Sequence, residues 1–343
     1  MKISYDIFRL TLNEERMFLM SLYEEFRFKP APWLPHCNMP LEELERIRNI
    51  KREDMVYTNE HGYSVKVVMH PTMHMVQDIF YRILMSDQMD KPFVMICPNQ
   101  EPDTYGAIAN MINKFNISCR NVHAFAMDEW ADEDGNVAPL TYGAGLGYSF
   151  MTHFYYRIRE DLRPPLSQWH THNNENKATG FYSNLIMEAS DGKGADMIYS
   201  ATGWPGHTAF IDPGTEEFHA ETLEEFCTLT SRVVTTTPLT VAENSLFGPM
   251  GASGDVWATP YRAVTIGPYD VVNAKERFEQ HCILNAETGA TWQRMVSRLQ
   301  LYGPICMDIP ASIMRLGKGT CYVSEAIAAP FKSWSCGQPD WEL

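Results

Sequence analysis

The sequence holds few basic residues, 28 lysines and arginines against 43 acidic ones, for a formal net charge of −15. Nucleic acid and anionic membranes both select clustered Lys and Arg, so neither is expected as a partner. No apolar run approaches the roughly 18 residues of a membrane span. Charges interrupt the first twenty residues, which do not resemble a signal peptide. There is no C-x-x-C pair: Cys37, Cys97, Cys119, Cys227, Cys282, Cys306, Cys321 and Cys336 are widely scattered. In a chain this large they are expected as reduced thiols, several inside strands, which argues against a structural zinc site and fits a cytoplasmic address. Internal repeats and low-complexity segments are absent, and the glycine-rich stretch 143–147 is too short for a linker. What is present suffices for a core. With 343 residues, 45% apolar and 12% aromatic, the chain is one large globular domain or two.

Residues 1–62 differ from the rest. Phe8, Leu12, Phe18, Leu22 and Phe26 carry helical spacing, prolines then crowd around Trp33, and a short charged helix is expected over 41–51. This segment is expected to be an extension packed on the main body or on a second subunit, followed by an α/β domain over 63–330 and a tail over 331–343. From residue 63 the rhythm alternates between strand and helix. Strands are expected at 63–70, 93–97, 122–127, 196–201, 262–266, 282–284, 304–307 and 320–323. Helices are expected at 71–85, 104–115, 178–189 and 289–299. Short apolar strands between amphipathic helices predict a doubly wound, mostly parallel α/β sheet with helices on both faces. Ligands bind such sheets at the strands' carboxyl ends, where strand order reverses. The loops after Cys97, Met127 and Ala201 are therefore the places to search.

After Met127 come Asp128-Glu129-Trp130-Ala131-Asp132-Glu133-Asp134. Such a run is often a solvated turn, but Asp128 sits at the strand end, where a side chain points into the crevice. After Ala201 come Thr202-Gly203-Trp204-Pro205-Gly206-His207-Thr208-Ala209-Phe210-Ile211-Asp212-Pro213. The glycines let a ligand approach the backbone, and a histidine and a carboxylate stand five residues apart. A lone histidine is more often structural than catalytic, and its placement after a parallel strand raises the functional reading.

Three segments carry a resemblance: Ala126-Met127-Asp128-Glu129-Trp130, Tyr148-Ser149-Phe150-Met151 and Gly206-His207-Thr208-Ala209-Phe210-Ile211-Asp212-Pro213. They resemble, in order and spacing, the NMDEY, YSFM and GHIAFNEP patterns of the glucosamine-6-phosphate deaminase (isomerase) family, whose superfamily also holds the 6-phosphogluconolactonases. Ser231-Arg232-Val233-Val234-Thr235, Ala242-Glu243-Asn244-Ser245 and Ala263-Val264-Thr265-Ile266-Gly267 extend the likeness, which covers about residues 63 to 327. The resemblance implies a doubly wound α/β fold, aldose–ketose isomerisation coupled to loss of ammonia, and no metal or organic cofactor. By position it implies that Asp128 shuttles the proton between C1 and C2. His207 would open the pyranose ring, and Asp212 would orient that histidine. Moving a proton between adjacent carbons needs one base that reaches both, and ring opening needs a separate acid/base.

The departures concern phosphate. The family's GNDGH places a carboxylate where this chain has Pro205. Its TGGTP phosphate loop corresponds to Pro98-Asn99-Gln100-Glu101-Pro102-Asp103, followed by Thr104. Bare backbone N–H groups at a helix start cradle phosphate, and carboxylates oppose it. At about 5 Å and an effective dielectric of about 20, each would repel one negative charge by roughly 3 kcal/mol. Asp103 also has a bland reading as a helix cap. Arg232 remains of the basic ligands, whereas Val234, Leu246 and Thr288, beside Glu287, stand where the family has cations. The expected binding set is Asn99, Gln100, Glu101, Asp103, Thr104, Glu129, Gly203, Gly206 and Arg232. The expected partner is a small sugar or amino sugar, with homo-oligomerisation left open. A lactonase-like hydrolase, with histidine activating water, and a sugar-binding module without turnover are the alternatives. The second is favoured by Pro205, the first opposed by the Met127-Asp128-Glu129 stretch.

Overall fold

The computed structural model describes residues 30–98, 102–285 and 288–331. The helix expected within residues 1–29 lies outside them, as do Asn99, Gln100, Glu101, Glu287, Cys336 and residues 332–343. In chain order the elements that matter are α1 (Leu41–Arg48), β1 (Tyr57–Thr58), β2 (Tyr63–Val68), α2 (Pro71–Met89), β3 (Phe93–Cys97), α3 (Pro102–Phe115), β4 (Val122–Ala126), β5 (Asp128–Ala131) and β6 (Trp169–His170). They continue with α4 (Phe181–Ala189), β7 (Met197–Ser200), β8 (Arg232–Thr235), α5 (Pro238–Asn244), β9 (Arg262–Thr265), α6 (Pro268–Asn273), β10 (Glu276–His281), α7 (Gln293–Tyr302) and β11 (Gly319–Ser324).

The main sheet has the order β1-β2-β11-β10-β7-β3-β4-β6, parallel throughout except for β1 at its edge. This is the doubly wound α/β fold expected from the strand–helix rhythm. Phe93–Cys97 is buried at every position, as a central parallel strand requires. Side chains alternate across the sheet, and each face has its own core. Val65, Val94, Ile96, Phe125 and Ile198 pack on one face, and Phe93, Met95, Ala124, Met197 and Tyr199 on the other. Helices α2 and α3 cover the second face through Met75, Ile79, Ile83, Ile108 and Ile112. Helix α1 lies on the body, with Ile47 against Leu299 and Ile309 and the Arg46 guanidinium donating to the Tyr302 carbonyl at 2.7 Å. No helix among the described residues is long and apolar enough to cross a membrane.

Three local expectations are corrected. Asp128–Ala131 is not a loop but strand β5, which joins β9 and β8 in a second, antiparallel sheet of order β5-β9-β8. The strand expected at 282–284 lies earlier, at β10, whose sequence ERFEQH does not look like a buried strand. Two of its polar side chains are held internally: Arg277 donates to the Val271 and Val272 carbonyls, and Glu279 accepts from Gln300. Residues 304–307 form no strand, only a bridge between Cys306 and Ile309.

The chain runs outward from β3 through β4 to β6, then returns to the other side of β3 at β7 and continues to β10 and β11. Strand order therefore reverses between β3 and β7, and a crevice opens at their carboxyl ends.

Candidate active site

A cleft of about 560 Å³ occupies that crevice. Pro98, Asp103 and Thr104 line it after β3, Met127 and Asp128 after β4, and Ala201, Thr202, Gly203 and His207 after β7. All three expected loops thus converge on it. A more open hollow of about 750 Å³ between Asp132–Tyr142 and Trp257–Tyr261 holds none of these strand-end residues.

His207 is buried and tightly held. Its Nδ1–H donates to Asp212 Oδ1 at 2.5 Å, since a carboxylate can only accept. The other oxygen of Asp212 accepts from the Thr237 backbone N–H at 2.5 Å and the Thr240 hydroxyl at 2.6 Å. Burial works against the Asp212 anion, but His207, Thr237 and Thr240 outweigh it and hold the carboxyl below its ordinary value. For His207, burial disfavours the imidazolium, yet Asp212, Glu243 and Asp128 together raise its pKa. With Nδ1 fixed, Nε2 is the nitrogen left for chemistry.

Nε2 faces a residue for which the sequence reading gave no role. Glu243 Oε2 stands 3.8 Å from it and accepts the Trp204 backbone N–H at 2.7 Å. Glu243 is buried at the end of α5, and burial pushes its carboxyl up to about 7 against the pull of His207. The only sequence signal was its place in the Ala242–Ser245 likeness. Gly203 is required by this approach: a methyl there would sit 2.1 Å from His207 Nε2 and 2.6 Å from Glu243 Oε2. Gly206 takes φ +90°, left-handed backbone that favours glycine, with Ile309 pressed against it. Ala209, not glycine, holds φ 50° in the same loop, local strain of the kind that gathers at functional sites.

Asp128 begins β5, opposite Thr265, and is nearly inaccessible. Burial is the main force on it, lifting the carboxyl to about 8; His207 opposes the rise and Glu129 adds to it. The Tyr182 hydroxyl fixes the strand end before it by donating to the Ala126 carbonyl at 2.9 Å.

The expected binding residues divide. Thr104, Asp103 and Gly203 line the cleft. Asp103 lies in the first turn of α3, which begins at Pro102, and so does not cap it. Glu129 points away into structure: it accepts the backbone N–H groups of Trp130, Leu146 and Gly147 at 2.8, 3.0 and 2.6 Å. It thereby pins the 143–149 turn, of which Gly143, Gly145, Leu146, Tyr148 and Ser149 face the cleft. Arg232 is not brought to the cleft. Its guanidinium donates to the Thr230 and Glu217 carbonyls and stacks over Phe218 at 5.1 Å. Across β9, Arg232 and Asp128 both pair with Thr265 from opposite sides. No lysine or arginine lines the cleft among the described residues, whereas Asp103, Asp128 and Glu243 do.

No protein-family model matches the chain, and no curated protein sequence does. Solved structures do. A monomeric glucosamine-6-phosphate deaminase, described as a missing link of the NagB superfamily, superposes with TM-score 0.59 at 19% identity, covering 77% of this chain and 98% of that one. The 6-phosphogluconolactonase from Thermotoga maritima gives 0.52 at 13% identity over 77% and 100% of the two chains. That from Trypanosoma cruzi gives 0.53 at 13% over 82% and 99%. At these identities the likeness establishes the fold, which this chain shares with those deaminase and lactonase structures.

Proposed function

We propose that the chain is a sugar isomerase of the deaminase type, acting on an aldose or amino sugar that carries no phosphate dianion in the cleft. The observation that carries this is the meeting of Asp128 with the His207–Asp212 pair in one cleft that no lysine or arginine lines among the described residues. Glucosamine-6-phosphate deaminase chemistry comes to this chain as an analogy of fold and of the matched motifs.

In the proposed cycle His207 carries a proton from the anomeric hydroxyl to the ring oxygen, opening the hemiacetal to an aldehyde with no net change in charge. Asp128 then takes the proton from C2, the electron pair forms the C1–C2 double bond, and the aldehyde oxygen gains a proton to give an enediol or enolamine. Asp128 returns its proton at C1 while the C2 hydroxyl or amine releases one to solvent, balancing the proton the aldehyde oxygen took up. This leaves a ketose or, from an amino sugar, an imine that water converts to ketose and ammonia. A carboxyl near pKa 8 is a stronger base than an exposed aspartate and suits this transfer near neutral pH. Glu243 supplies His207 with the second carboxylate that Pro205 cannot.

The test incubates the protein in D2O with neutral, amino and phosphorylated sugars, following deuterium at C1 and C2 by NMR and ammonia by a coupled assay. Exchange and ketose formation by the parent, absent in Asp128→Asn, support the reading. Hydrolysis of sugar lactones without carbon exchange assigns the site to the lactonase-like alternative. Binding without either reaction leaves a sugar-binding module.

A further inference from the structure

Behind the cleft, strands β10 and β11 run parallel with Glu279 opposite Cys321. Alternation puts Glu279, His281 and Cys321 on one face of the sheet, while Gln280 lines the cleft on the other. The ligand atoms of these three side chains all lie within 4.8 Å of one another, and all three residues are fully buried. The Glu279 carboxylate is already oriented: the Tyr63 hydroxyl donates to Oε2, and Gln300 Nε2 donates to Oε1 at 2.7 Å.

His281 is the unexplained member. It has no solvent exposure, and neither ring nitrogen has a hydrogen-bond partner. Glu279 Oε1 stands 3.8 Å from Nε2, too far for a hydrogen bond. Gln300 Oε1, on the same amide that holds Glu279, is also without a partner. Buried polar groups are nearly always paired, so an imidazole with two idle nitrogens implies something between it and its neighbours. Thiolate, imidazole and carboxylate together form a donor set that suits zinc, and three protein ligands leave one tetrahedral position for water. The charges also cancel. One thiolate and one carboxylate balance a divalent ion, leaving a neutral unit suited to a dry core.

We propose that Glu279, His281 and Cys321 form a buried zinc site that cross-links β10 to β11, with Tyr63 and Gln300 positioning the carboxylate. On binding, the Cys321 thiol releases its proton to solvent and the sulfur lone pair goes to the metal. The scattered cysteines of the sequence hide such a site, because only the pairing of two distant strands assembles it. The proposal is independent of the isomerase reading.

The experiment uses the full chain without a polyhistidine tag, produced with added zinc and dialysed free of loose metal. Mass spectrometry of the metal content should find about one zinc per chain. Cobalt substitution should produce a thiolate-to-cobalt charge-transfer band. That band should survive Cys282→Ser and vanish in Cys321→Ser, and His281→Gln should weaken binding at least about tenfold. If Cys321→Ser does not fold, the parent and Cys282→Ser spectra still decide. Zinc below about a tenth of an equivalent together with no charge-transfer band in excess cobalt would overturn the site, leaving buried water as the partner of His281. A band that persists in folded Cys321→Ser would overturn it equally.

Discussion

Replacing Asp128 by asparagine separates what this carboxyl does to the fold from what it does for the chemistry. Burial lifts it from the ordinary 3.8 to about 8. Its folded pKa therefore exceeds its unfolded one, and the native state holds the proton more tightly. The resulting stability is complete below pH 3.8 and is lost as pH rises toward about 8. At about 1.36 kcal/mol per pK unit, the loss is about 1.6 kcal/mol at pH 5 and about 5 at pH 8. Asparagine keeps the shape and does not ionise, so its stability relative to the parent should improve by about 3–4 kcal/mol between those two pH values. Urea unfolding of both proteins at pH 5 and pH 8 reads this directly. The same variant should lose carbon–proton exchange, while in the parent that rate climbs with pH through about 8, because only the carboxylate accepts a proton. An unchanged stability gap at the two pH values would refute the burial argument for Asp128, whatever happens to activity.

Glu243→Gln removes a carboxylate that helps hold His207 protonated, so the His207 resonance should titrate at lower pH in NMR. An unmoved titration would detach Glu243 from the site. Gly203→Ala puts a methyl 2.1 Å from His207 Nε2, and turnover should fall about a hundredfold or more with circular dichroism unchanged. In calorimetry, glucosamine should bind more tightly than its 6-phosphate, because Asp103, Asp128 and Glu243 face the cleft and no lysine or arginine among the described residues lines it to answer them. Micromolar binding of the ester with no response to the free amino sugar would sink the charge argument.

The parallel sheet is readable from sequence because strands buried on both faces appear as continuous apolar runs, of which Phe93–Cys97 is the plainest. β10 escapes that criterion. Arg277, Glu279, Gln280 and His281 are buried there, and the groups that satisfy or face them come from other elements. Asp128 illustrates the opposite case. Its position at a strand end can be read from the sequence, but its burial cannot. An acidic run after a strand looks like a solvated turn until 128–131 pairs with 262–265 and sinks into the second sheet. Arg232 misleads for a related reason: the motif survives, yet on β8 the guanidinium turns toward Glu217 and Phe218.

Glu243 shows why a motif comparison cannot settle whether a site is intact. Within the His207 loop the chain loses a carboxylate to Pro205, and judged by that loop alone the histidine is left half supported. Another carboxylate approaches the ring from the end of α5. Proline at N1 starts that helix, Thr237 and Thr240 at its beginning bind Asp212, and Glu243 about one turn further on stands 3.8 Å from Nε2. One short helix thus lies on both sides of the imidazole, bonded to Asp212 on the Nδ1 side and placing a carboxylate 3.8 Å from Nε2 on the other. Gly203 is the reciprocal requirement on the loop, since any side chain there would separate Glu243 from the ring. The loop's proline and the helix's glutamate are two parts of one arrangement. The result is a rigidly oriented histidine with carboxylates on two sides, and on this rests the proposal that the cleft takes a sugar without a phosphate dianion.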